Sequence, residues 1–250
     1  MSGYTGLHFR FSALRAEIAS LSKLAKPFID VSCQYLLDSW SSDLQSIEST
    51  NSTATSSWRI SESTPIRTRT TREYEPAGRE GGHDVWGELT FIWKVNRVST
   101  NNRATKGHMC LSGNASTKIK ICETVDGNPK VLAQWQIEVG AADSPGWHFH
   151  VGLCGEADEA PFPHWLPVPR VPGVLILPTD GLDFLLGELF QVQWRESVLK
   201  DSYETQQLGT AQLDRIKKFC SWQSGQVDSG HGSRWNRLKH CKPPADLFLV

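Results

Sequence analysis

No apolar stretch in this chain approaches the roughly 20 residues needed to cross a bilayer, so a membrane-spanning helix is not expected. The opening stretch MSGYTGLHFRFSALRAEI has no uninterrupted apolar run and no small-residue cleavage site behind one, which argues against a signal peptide. Ser2 stands where myristoylation needs glycine. A cytoplasmic protein is the resulting expectation. None of the six cysteines (Cys33, Cys110, Cys122, Cys154, Cys220 and Cys241) forms a Cys-x-x-Cys pair. A paired-cysteine zinc site is therefore excluded, and free thiols are expected in a reducing compartment. An excess of charge of either sign is also missing. Lys and Arg number 26 against 27 Asp and Glu, a formal net charge of −1. That excludes a globally basic nucleic-acid binder or an acidic solvating tail, but leaves room for local patches. Neither a Gly-x-Ser-x-Gly elbow nor a Walker A loop occurs, and no internal repeat is visible.

What is present is enough to fold. The chain has 250 residues, 39% of them hydrophobic, and ten are tryptophans. Large rings of that number belong in a core or an interface. Residues 1–48 read as a helical hairpin. Leu14, Ile18 and Leu21 recur at helical spacing, and after Pro27 the pattern repeats with Phe28, Val31, Tyr35, Leu36, Trp40, Leu44 and Ile47. Residues 49–84 are rich in Ser, Thr, Arg and Gly. They read as a flexible connection able to contribute a short edge strand.

Residues 85–250 read as an α+β domain whose sheet spans 85–153. Leu89, Phe91, Trp93 and Val95 alternate with polar neighbours, as do Ile119 and Ile121, Ala133, Trp135 and Ile137, and Trp147, Phe149 and Val151. A period of two means that each strand buries one face and wets the other. Asp126-Gly127-Asn128-Pro129 and Asp143-Ser144-Pro145-Gly146 are turn signals. Links this short favour an antiparallel meander of four to five strands, with amphipathic helices packed on its odd-numbered face. Gln134, Gln136, Lys118, Lys120, His148 and His150 then share the polar face. The proline-rich segment 154–178 should be extended. C-terminal helices follow over 179–222. One is capped at Thr179 and carries Leu182, Leu185, Leu186, Leu189 and Phe190; the next holds Leu213, Ile216, Phe219 and Cys220 on one side. Residues 223–250 read as a loose tail.

Two constellations carry candidate chemistry. His148 and His150, two apart on a strand, point to the same face, the geometry with which strand-borne sites hold a divalent metal ion. Glu156 and His164 in the following loop, or His108 and Glu138 from other strands, are candidate further ligands. Metal-bound water would make the site a hydrolase centre. Two histidines hydrogen-bonded on a polar sheet face explain the same residues without a metal. The histidine-triad pattern of nucleotide hydrolases is broken by Gly152. The second constellation is basic and aromatic. Arg215, Lys217, Lys218, Trp222, Arg234, Trp235 and Arg237 combine cations with stacking platforms, which suits phosphate contact and base stacking. A solvated helix face is the plainer explanation. Cys154, just past the strand, reads as a structural thiol rather than a nucleophile.

The combination HFHVG, LPVPRVPG and LDFLLGELFQVQW, across about residues 130–222, resembles an uncharacterised bacterial protein family; the resemblance implies no activity. The functional expectations are, in order, a non-catalytic binding or accessory protein with a protein or nucleic-acid partner, a metal-dependent hydrolase, and a structural subunit of a larger assembly.

Overall fold

In the computed structural model the described residues are 7–50, 54–74, 82–98, 107–139, 148–152, 177–229, 232–234, 241 and 243–248, with the backbone alone for 112–114, 139 and 148–152. The elements run β1 (His8–Arg10), α1 (Phe11–Ala25), α2 (Gln34–Ser49), β2 (Ser56–Ile60), β3 (Ile66–Arg67), β4 (Val85–Arg97), β5 (His108–Val125), β6 (Asn128–Val139), β7 (His148–Gly152), α3 (Pro178–Leu189), α4 (Gln191–Val198) and α5 (Tyr203–Asp228). This is an α+β fold on one antiparallel sheet in the order β2-β4-β5-β6-β7, with β1 added to β5 and β3 to β4. No helix among the described residues is long and apolar enough to cross a membrane.

The meander follows from the alternation. On the odd-numbered face Leu89, Phe91, Trp93, Ile119, Ile121, Ala133, Trp135 and Ile137 are all buried. Asp126 (φ 50°) and Gly127 (φ 79°) take positive φ between β5 and β6, as a two-residue turn matched to strand twist requires. The sheet is wider than four or five strands because short segments extend it. Within the span read as a connection, Ser56–Ile60 and Ile66–Arg67 pair with β4. Trp58 is fully buried there and donates from Nε1 to the Trp40 carbonyl at 3.2 Å. Trp40, Trp58, Phe91 and Trp93 form one aromatic cluster. The runs around Met109 and Ile119 belong to a single strand. Ser112, Gly113 and Asn114 between them carry no apolar signal, which hid the continuity.

α2 and α3 lie on the odd face, and α1 packs against α2, α3 and α5. One core therefore runs from Leu7 and Phe11 to Leu208 and Phe219 and joins the N-terminal helices to the rest. Contact with α3 is close: a Cβ on Gly87 of β4 would fall 2.5 Å from Leu185 Cδ1, so a larger residue there would force the Leu185 side chain to move.

Several expectations are corrected. Pro27 opens a short 3₁₀ turn, Lys26–Phe28, rather than α2, which begins at Gln34 after a second such turn. In α3 the cap is Leu177, with Pro178 as the first helical residue; Thr179 lies inside, and the Asp180 carboxylate accepts the Leu177 N–H at 3.0 Å. Cys122 and Leu132, which strict alternation would turn to the polar face, are buried. The β5–β6 register slips between Ile121 and Cys122, and a bulge of this kind re-aims the residues after it. Helix α5 continues to Asp228 and is rotated from its expected phase. Leu213 and Ile216 are exposed, whereas Leu208, Arg215 and Phe219 face inward.

Candidate functional site

The even-numbered sheet face has the makings of a site because β-strand alternation collects its polar side chains there. Register sets Thr90 opposite Lys118, Lys118 opposite Gln136, and Glu88 opposite Lys120 opposite Gln134. Lys118 Nζ donates to Glu62 Oε1 at 2.6 Å, and Lys120 Nζ lies 3.8 Å from Glu62 Oε2. The hydrogen bond from Lys118 holds the Glu62 carboxyl below its ordinary pKa, against a smaller opposing effect of burial. Gln136 Nε2 donates to Ser116 Oγ at 3.0 Å and to Glu138 Oε1. Glu62, Thr90, Ser116, Lys118, Gln136 and Glu138 line a hollow of about 300 Å³ together with the exposed Ile92 and with Lys94. The two lysine side chains are only 19% and 21% exposed, so they are held in place rather than waving in solvent.

The candidate metal residues divide. Backbone pairing puts His148 opposite Glu138 and His150 opposite Gln136. Glu156 and His164 lie outside the described residues, as does Cys154. His108 is at the far end of β5, opposite Arg10 of β1, away from the pairing partners of β7. It is buried, its Nδ1 has no hydrogen-bond partner among the described residues, and burial first, then Arg10 and His8, lower its pKa. Among the described residues no three His, Cys, Asp or Glu side chains converge as a metal site. The described cysteines are unbridged thiols.

The basic constellation also divides. Lys217, Lys218 and Trp222 border one shallow depression on α5 with Leu247. Lys218 pairs with Asp214 at 2.7 Å, and Trp222 packs on Phe219 with ring centroids 5.4 Å apart. Arg234 is exposed; Trp235 and Arg237 lie outside the described residues. Arg215 does not border this depression; it is buried beside it and shares with Lys218 the lining of another hollow. It is 7% exposed and bound on two sides, by Glu17 of α1 (Nη1–Oε2 2.9 Å, Nη2–Oε1 2.9 Å) and by Asp180 of α3 (Nε–Oδ2 3.1 Å, and Nη2–Oδ1). Thr179 donates to Glu17 Oε1 at 2.6 Å. Burial raises the Asp180 carboxyl to about 6, because the guanidinium that lowers it is shared with Glu17, whose charge raises it again. Asp183 is raised by burial too, although Gln212 and Trp194 donate to it.

Sequence reasoning missed this cluster. Its signal was a charged residue on each of two apolar stripes: Glu17 among Leu14, Ile18 and Leu21, and Arg215 between Leu208 and Phe219 at the same helical spacing. Opposite charges at two such positions point to a buried pair. Comparison with known proteins adds no further residue: no family model, no curated protein and no solved structure matches the chain.

Proposed function

We propose that the polar sheet face is a recognition surface and that the chain is a non-catalytic binding or accessory protein with a protein partner. The observation that carries this reading is the pre-positioned network Glu62, Lys118, Gln136 and Glu138 around an open hollow, with Lys120 beside Glu62. Donors and acceptors of both signs stand beside the apolar Ile92, 45% exposed. Mixed polarity around an apolar contact suits a protein surface. A nucleic-acid partner would call for cations in excess, which this face lacks and the depression at Lys217, Lys218 and Trp222 supplies only in part.

The test is recovery of a partner on the tagged full chain from its own cells, with and without nuclease, followed by binding of the purified partner to variants. A protein partner lost by Lys118→Glu/Gln136→Ala and retained by Lys217→Glu/Trp222→Ala supports the reading. Loss on nuclease treatment, or loss only in the α5 variant, refutes it in favour of nucleic acid. A second reading, a divalent metal site that makes the chain a metal-dependent hydrolase, is favoured by the register of His148 opposite Glu138. Stoichiometric metal in chelator-free protein, lost in His148→Ala/His150→Ala, is its signature.

A further inference from the structure

A second hollow, of about 350 Å³, lies between the start of α1 and the middle of α5, in the helical layers behind the sheet. Small residues open it: Ala13 of α1 faces Thr210 and Ala211 of α5. One wall is apolar, made by Phe9, Leu14, Leu177 and Phe248, with the Phe9 and Phe248 rings stacked at 5.5 Å. The other wall is charged, with Arg10, Glu17, Asp214, Arg215 and Lys218. An apolar body with a few convergent polar groups is the ordinary make-up of a small-molecule site, and the volume is within the usual range of about 300–1,000 Å³.

The unspent hydrogen bonds identify the ligand class. Both oxygens of Glu17 are taken by Arg215, one of them also by Thr179. Asp214, 60% exposed in its side chain, gives its Oδ2 to Lys218 at 2.7 Å. On the donor side Arg10 makes no side-chain hydrogen bond or ion pair among the described residues. Lys218 has used one of its three ammonium protons. Arg215 has placed four of its five N–H bonds, and the second proton on Nη1 has no partner among the described residues. The buried carboxylate of the hollow, Glu17, is engaged on both oxygens, while donors remain unpaired among the described residues, one of them on a side chain only 7% exposed. We propose that this hollow binds a small monocarboxylate with an apolar body. The carboxylate lies toward Arg10, Lys218 and the free edge of Arg215, and the apolar part lies against Phe9 and Phe248. This hollow shares no lining residue with the one on the sheet face.

Isothermal titration of the full chain with 3-phenylpropionate, 3-phenylpropionamide and phenethylamine tests it. The carboxylate is expected to bind saturably at one site, with the amide and the amine at least about tenfold weaker. Arg10→Ala and Lys218→Ala change side chains that reach the solvent, so the fold survives, and each should weaken the carboxylate several-fold. Ala211→Leu, which fills the hollow, should abolish binding, while Lys118→Glu on the sheet face should leave it unchanged. No saturable binding of the carboxylate, an amide that binds as tightly, or an unchanged affinity in the Arg10→Ala/Lys218→Ala double variant would each overturn the proposal.

Discussion

Two ion clusters in this molecule use the same chemistry in opposite surroundings. On the sheet, Glu62 is 57% exposed in its side chain and joins Lys118 and Lys120 across a wet face. Between the helices, Glu17 and Arg215 are 4% and 8% exposed in their side chains and are held with Asp180. Exposed pairs contribute about 0–1 kcal/mol, because water screens them and ordering two long side chains costs entropy. A buried pair has already lost its water, so removing one partner strands a charge and costs about 3–5 kcal/mol. The first cluster is therefore free to serve recognition. The second ties α1, α3 and α5 together and cannot be spent without loosening them.

The largest effect should come from the buried cluster. Glu17→Ala is expected to lower unfolding free energy by about 3–5 kcal/mol, read by urea denaturation. Glu17→Leu/Arg215→Met, which removes both charges and keeps volume, should recover most of it. A next, smaller effect concerns pH. The folded-state pKa of Asp180 is about 6, above its ordinary 3.8. Between these values the folded protein holds more protons than the unfolded chain. The stability contribution of Asp180 thus rises as pH falls from about 7 to 4 and is lost as pH climbs through 6. The size is on the order of 3 kcal/mol. His108, lowered by burial, acts in the opposite sense and loses stability as pH falls below 6.5. The clean readout is the difference in melting temperature between wild type and Asp180→Asn across this window. It should grow in favour of wild type toward acid, and a flat difference would contradict the assignment. The smallest effect is expected for Lys118→Ala, a change of at most about 1 kcal/mol in unfolding free energy.

The same contrast explains what could be read from residues alone. The sheet was legible because a period of two leaves little freedom: once Phe91, Trp93, Trp135 and Ile137 face in, Lys118, Gln136 and their neighbours must face out. The hairpin at Asp126-Gly127 was legible because few residues tolerate positive φ at both positions. The helix α5 was not, because its apolar residues fit two phases. Leu213 and Ile216 belong to one and Leu208 and Phe219 to the other, and the Glu17 carboxylate across the interface selects the second by drawing Arg215 inward. Strands β2 and β3 were hidden in a Ser/Thr-rich stretch, where the single ring of Trp58 supplies the burial that local composition withholds. For the candidate sites, His148 and His150 lie on a strand, β7, as alternation indicates. The grouping of Arg215 with Lys217 and Lys218 divides, because Arg215 is buried and shares a hollow with Lys218, three residues on, while Lys217 lies outside that hollow.

The division of labour between the two clusters is tested most directly by paired double-mutant cycles in urea, Glu17/Arg215 against Glu62/Lys118, at pH 7.5. A coupling of several kcal/mol for the buried pair and under about 1 kcal/mol for the sheet pair is the predicted result. Equal couplings, or a larger one on the sheet face, would contradict the account.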